Sequence, residues 1–160
     1  MTHQMRRADK EISSPEEIDA LLLSGKFVTV GLSDGDQPYL VTLSYGFDAE
    51  TRRLYSHAAP AGRKLDVCAA GPAACGTVIR DLGYAAGDCT QRYESVVVYG
   101  RLRLVDEVEE ARHGMRVLMR QLEADPESTW AGNDLDDSAT WQRFRVLAFD
   151  VEYATGKRGI

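Results

Sequence analysis

The sequence predicts a mainly antiparallel β domain, about six strands curled into a barrel with about three helices set between them. Three observations carry that reading. The C-terminal segment alternates strictly, placing Leu147, Phe149, Val151 and Tyr153 on one side. A long segment from Arg92 to Val105 does the same with Val96, Val98, Leu102 and Leu104. Links between strand segments are mostly short, and so many consecutive antiparallel strands exceed a small open sheet, whereas a barrel leaves no exposed edge.

Taken in order, residues 1–12 read as a flexible N-terminal arm of a single domain spanning 1–160. Ser14-Pro15-Glu16-Glu17 supplies an N-cap, a proline at the first helical position and a carboxylate three residues past the cap. The helix it opens turns Ile18, Leu21 and Leu22 inward and stops at Gly25. Lys26 to Ser33 follows as a strand, and "DGDQP" at Asp34 to Pro38 is a hairpin-type turn. Tyr39 to Asp48 reads as one strand. Its apolar face holds Val41, Leu43, Tyr45 and Phe47; its smaller, more polar face holds Leu40, Thr42, Ser44 and Gly46. Arg53 to His57 is the third strand, and Ala61 to Ala70 fits a short helix ended by Gly71-Pro72. Ala73 to Arg80 is the fourth strand, Asp81 to Gln91 a loop, and Arg92 to Val105 the fifth strand. Asp106 to Glu109 has the form of a capping box. Behind it Val108, Ala111, Met115, Leu118 and Leu122 recur at spacings of three and four, an amphipathic helix. Asp125 to Thr140 is acidic and irregular, and Arg143 to Tyr153 is the last strand.

Composition narrows the functional classes. A chain of 160 residues can bury roughly 70% of its unfolded surface in one core. A formal charge of −6 argues against a protein that coats nucleic acid or anionic membrane, so any anion site must be local. Apolar runs are too short to span a bilayer, and the N-terminus lacks the apolar core of a signal peptide. Cys68, Cys75 and Cys89 form no C-x-x-C pattern, so neither a disulfide framework nor a zinc site is expected. A reducing cytoplasm is the natural setting.

The stretch "YSHAAPAGRKLD", Tyr55 to Asp66, raises a specific question, because Arg63 and Lys64 stand where a helix should begin. Cations are the wrong sign for a helix N-terminus. With Pro60 as the first helical residue, free amides near Gly62 together with Arg63 and Lys64 would make an anion site. The other reading pairs both cations with surface carboxylates, which this acidic chain has in excess. His57 has two readings as well, a structural strand histidine or a ring set against a cofactor. Thr42 and Ser44 are either the exposed side of a strand or a small polar face where a flat ring could meet backbone amides. Tyr93, Ser95 and Tyr99 share a similar face with the same two readings. Trp130 and Trp141 could cap a pocket or subunit contact, or fill core. No nucleophile-elbow or metal-ligand spacing appears.

Together these segments resemble the FMN-binding split-barrel superfamily of pyridoxamine 5′-phosphate oxidase-like proteins, in its nitroimidazole-resistance-related branch. The residues that carry the likeness are "PYLVTLSYGFD" (Pro38 to Asp48), "LYSHAAPAGRKLD" (Leu54 to Asp66), "RYESVVVYGRL" (Arg92 to Leu102) and "ATGK" (Ala154 to Lys157). The family's usual start matches Met5, so Met1 to Gln4 is expected to be an extension. The resemblance implies a six-stranded antiparallel split β-barrel and a homodimer with FMN at the subunit interface. Carried over by position, Val41, Thr42, Leu43 and Ser44 would meet the flavin ring. Ser56, Gly62, Arg63 and Lys64 would hold the phosphate, with His57 near the ring. Ser95, Trp141 and Lys157 would approach from the other subunit. Members of this branch often carry proline and asparagine where Thr42 and Ser44 stand. The function implied is an FMN-dependent oxidoreductase that uses NAD(P)H on a small molecule, nitroaromatic or quinone-like, with the cofactor supplying the chemistry. The alternative is a non-catalytic flavin- or haem-binding split barrel, a carrier, sensor or detoxifying sink, with His57 as the first axial-ligand candidate.

Overall fold

A computed structural model describes residues 5–159. In chain order the elements are β1 (Glu11–Ile12), α1 (Pro15–Ser24), β2 (Phe27–Asp34), β3 (Gln37–Ser44), β4 (Gly46–Asp48), β5 (Arg53–Ala58) and α2 (Arg63–Cys68). β6 (Ala73–Ala85), β7 (Thr90–Leu104), α3 (Val108–Leu122), α4 (Pro126–Gly132) and β8 (Arg145–Gly159) complete the fold. All strands join one antiparallel sheet in the order β3-β2-β6-β7-β8-β5-β4, with β1 on the far end of β8. The fold is a split barrel, as expected, but it has eight strands rather than six, and the path does not close: β3 and β4 end it without pairing.

Two features account for the higher strand count. The predicted strand over Tyr39 to Asp48 breaks at Tyr45, whose N–H donates to the Lys26 carbonyl (3.3 Å) and whose hydroxyl donates to the Leu22 carbonyl (2.6 Å). Beyond the break Gly46 pairs with Tyr55 of β5 instead of with β2. A Cβ on Gly46 would lie 2.4 Å from the Leu118 Cα, so α3 lies directly on this backbone and only glycine fits. The apolar alternation runs through the break, which is why periodicity alone reads one strand. The second feature is β1. Glu11 and Ile12 pair with Lys157 and Gly156, and Ile12 is buried, so the arm expected over residues 1–12 is structured from Ala8 to Ile12. The proposed extension, Met1 to Gln4, lies outside the described residues.

Other boundaries move for local reasons. The expected loop at Asp81 to Gln91 is instead the end of a long β6–β7 hairpin, with a register shift between Asp81 and Tyr84 that interrupts the alternation. Helix α2 begins at Arg63 rather than Pro60, because Gly62, at φ 130°, takes the N-cap position. At α3 the N-cap is Glu107, and no side chain caps it, so the box at Asp106 does not form. The stretch expected to be irregular contains α4, capped by Asp125, whose carboxylate accepts from the Ser128 N–H at 3.0 Å, and a 3-10 turn over Ser138–Gln142. The Asp-Pro pair at 125–126 is the start signal that reading passed over. Finally, β8 runs on from Tyr153 to Gly159.

Two apolar cores divide the molecule. The barrel interior holds Leu22, Val28, Leu43, Leu54, Val96 and Phe149. The second core lies between the outer side of β5 and β8 and helix α3, with Tyr55, Ala148, Met115, Leu118 and Trp130. Each fully buried side chain of this kind contributes about 1.5–3 kcal/mol. β5 therefore serves both cores, with Leu54 on one side and Tyr55 on the other.

Candidate functional site

The opening of the barrel is bounded by two unpaired backbone edges. Among the described residues β3 pairs only with β2, so its other edge keeps free N–H and C=O groups. β5 pairs with β4 only through Tyr55, leaving the same side of Ser56–Ala58 free, while its other side pairs with β8. β3 and β5 approach within 8 Å between Cα atoms without hydrogen bonding.

Helix α2 stands at the hairpin end of this opening. The Arg63 Nε donates to the Asp34 carboxylate at 2.8 Å, and the guanidinium lies 4.7 Å from the Tyr39 ring centre. The pairing with a surface carboxylate, one of the two readings of this residue, is thus the contact present. Its consequence is positional, since it fixes Arg63, which is 57% exposed, against the start of β3. Lys64 follows on the same first turn and forms no ion pair among the described residues. From Tyr39 to Ser44 the strand runs about 16–17 Å at roughly 3.3 Å per residue, enough to place a phosphate at one end and a ring at the other. Leu43 faces the core and Val41 packs against it, so only their backbones are offered at the edge. Ser56 is buried on the barrel side of β5.

The remaining predicted residues lie elsewhere on this chain. Thr42 is on the outer face of the sheet, with its hydroxyl 3.0 Å from that of Thr29. Ser95 of β7 stands opposite Ile79 of β6 and Lys157 of β8 on the same sheet. Tyr99 stacks on Tyr153 at 4.4 Å. Leu40 (70% exposed), Ile79 (64%) and Phe27 (60%) leave this face with large uncovered apolar side chains. Trp141 packs with Trp130, Phe144 and the Arg112 guanidinium at the edge of the second core.

His57 is exposed, sits edge-on to Phe144 with ring centres 6.5 Å apart, and lines a cavity of about 380 Å³ that also touches α3, α4 and the 3-10 turn. No residue of the basic pair lines that cavity, and sequence reading did not find it. Its walls come from Met and Leu positions on α3, which by themselves read as core. Burial raises the Cys68 thiol, only partly offset by Lys64, which makes Cys68 a poor nucleophile. Among the described residues no three His, Cys, Asp or Glu side chains cluster as a metal site, and no helix is long and apolar enough to cross a membrane.

Comparison with known proteins agrees with this architecture. The family profile described as pyridoxamine 5′-phosphate oxidase matches residues 14–158. A candidate 5-nitroimidazole antibiotic resistance protein from Bacteroides thetaiotaomicron shares the fold at a TM-score of 0.74 and 22% identity, over 98% of this chain and 96% of its own. The flavocytochrome Anf3 from Azotobacter vinelandii aligns at a TM-score of 0.79 and 19% identity, over 99% of this chain and 73% of its own. A FAD-binding protein from Mesorhizobium loti aligns at 0.61 and 19% identity, over 92% and 96% respectively. No curated protein matches the sequence.

Proposed function

The chain belongs to the pyridoxamine 5′-phosphate oxidase family, and from that premise we propose that it binds FMN and acts as a flavin-dependent oxidoreductase on a small molecule, with NAD(P)H as the reductant. The observation that carries this reading is the pair of free strand edges on β3 and Ser56–Ala58, with Gly62, Arg63 and Lys64 at one end. A flat heterocycle with donors and acceptors on its rim matches unpaired backbone groups. A phosphate matches an arginine already oriented by Asp34 and Tyr39, with a second cation beside it. Gly62 leaves open space where a side chain would stand. When bound, FMN would supply the electron-transfer chemistry. The chain's own part would be to bind, orient and shield it.

A second copy of the chain completes the proposal. Ser95, Lys157 and Trp141 are not gathered at the opening of their own chain, yet Ser95 and Lys157 lie on a face that leaves Leu40, Ile79 and Phe27 uncovered. A homodimer that covers this face would bring them to the partner's flavin. The three cysteines are all free, in keeping with a cytoplasmic protein.

The test is the visible spectrum of the purified protein, followed by release and identification of the chromophore. FMN is expected; FAD would correct the cofactor, and a Soret band would favour the haem-binding alternative that the flavocytochrome neighbour keeps in view. A colourless protein that takes up no added FMN refutes the reading. With flavin bound, anaerobic NADH or NADPH should bleach it, and failure with both leaves a binder rather than a reductase.

A further inference from the structure

The cavity beside His57 lies on the α3 side of β5, across the strand from Ser56 and the barrel interior. Its floor is apolar and polarizable, made by Met115, Leu118 and Met119 of α3 with Phe144. The lining also includes hydrogen-bond donors. Thr140 is 4% exposed, lines the cavity, and its hydroxyl makes no hydrogen bond to any other described residue. That hydroxyl is not among the buried atoms left without a partner, so it is accessible from the cavity, where a ligand or water can satisfy it. Arg143 follows three residues later, its N–H donating to the Thr140 carbonyl at 3.0 Å, and its guanidinium has no ion-pair partner among the described residues. His57 lines the same cavity. The Glu123 carboxylate also lines the cavity, from the end of α3.

We propose that this cavity is a ligand site for a small planar aromatic acid, its ring on the methionines and its carboxylate toward Thr140, Arg143 and His57. An apolar cavity of about 150 Å³ holds a benzene ring, so the roughly 380 Å³ available here suits two fused rings bearing a short acidic group. These polar residues select the acid because an arginine and a hydroxyl can both serve a carboxylate oxygen, which a hydrocarbon cannot use. Glu123 sets a limit, because a second acidic group placed beside it would be repelled. The site stands on these residues alone and does not require a bound flavin.

The probe is 2-naphthoate, titrated by calorimetry into the full-length protein with and without FMN, beside the neutral 2-naphthalenemethanol. We expect 2-naphthoate to bind one to one, with the acid preferred over the alcohol by about tenfold. Arg143→Gln, an exposed position that should not disturb folding, is expected to remove most of that preference while leaving the alcohol nearly unchanged. Thr140→Val should weaken the acid several-fold, and Met119→Trp should block both compounds, with melting curves confirming that each variant folds. The proposal is overturned if 2-naphthoate fails to bind at millimolar concentration. It is also overturned if Arg143→Gln and Thr140→Val both leave the acid's affinity unchanged. Binding that survives without FMN separates this site from the flavin reading, because loss of either can then be seen without loss of the other.

Discussion

Replacing Arg63 and Lys64 together with alanine tests where a flavin phosphate would sit. Arg63 is exposed to 57% and already shares its guanidinium with Asp34 at 2.8 Å, so the phosphate gains less than a buried arginine would give. A charge-assisted hydrogen bond is worth about 1.5–3 kcal/mol, and an exposed ion pair about 0.2–1 kcal/mol. The double variant should therefore lose about 2–3 kcal/mol of FMN binding, roughly 30- to 150-fold in affinity. Quenching of flavin fluorescence on titration measures it, with riboflavin as the internal control because it has the ring and lacks the phosphate. Riboflavin affinity should stay within about twofold, since both cations stand at the hairpin end of β3, away from the ring. The companion variant Asp34→Asn removes the carboxylate that competes with the phosphate, and should tighten FMN by about two- to fivefold. If FMN and riboflavin weaken by the same factor, or if neither changes, the placement of the phosphate at α2 is wrong.

Three further outcomes follow from other parts of the fold. Gly46→Ala drives a Cβ to 2.4 Å from the Leu118 Cα, an overpacking that should cost about 1–3 kcal/mol and show as a lower melting temperature. Ile79→Glu, at a 64% exposed position on the open sheet face, should convert a dimer to a monomer in light scattering and weaken FMN binding with it; an unchanged mass would refute the proposed interface. Arg103 donates to both Glu110 (2.7 Å) and Asp150 (2.7 Å). Its hydrogen bond lowers the Glu110 carboxyl against desolvation, while at Asp150 burial raises the carboxyl but hydrogen bonds from Arg103 and Arg53 outweigh it. Carboxyls held low in the folded state add stability that is present above the unfolded carboxylate range of about 4 and is lost as pH falls through the folded values. Arg103→Met should thus be less stable at neutral pH and show a flatter loss in acid urea titrations than the parent protein.

Much of the architecture was legible because its signals are local. α1 forms where Ser14-Pro15 announces it, with the Ser14 hydroxyl accepting from the Glu17 N–H, and the long strands follow their alternation. The opening of the barrel was not legible, since it depends on which partner Gly46 chooses after Tyr45, a long-range choice that leaves the period of two intact. The basic pair was visible in sequence, but Asp34 as its holder was not, because the two are 29 residues apart and meet only once the β2–β3 hairpin has formed. The cavity at His57 was hidden for a different reason. Its methionines and leucines occupy ordinary core positions on α3, and only the placement of α4 and the 3-10 turn leaves a space over them.

The break at Tyr45 also explains why the free edges exist at all. Had β3 continued straight into Phe47 and Asp48, those residues could not have left β2 to form β4 beside β5. Contacts from Tyr45, Gly46 and Gln121 enforce the crossing. Tyr45 is tied to Leu22 and Lys26, and α3 lies against Gly46. The Gln121 side chain accepts from the Phe47 N–H at 2.8 Å while donating to the Leu22 and Gly25 carbonyls. These contacts bind the end of α1, the turn after β3 and the last turns of α3 into one clamp. The clamp directs β4 onto Arg53–Tyr55 and stops there, which leaves Ser56–Ala58 and β3 with backbone groups and no strand to meet them. Natural sheets blunt exposed edges with lysine, proline or short strands. β3 has Pro38 at its hairpin end but only small polar or apolar side chains from Tyr39 to Ser44. An edge left undefended along the stretch beside Arg63 is what a fold would keep if a ligand, rather than another strand, were to pair with it.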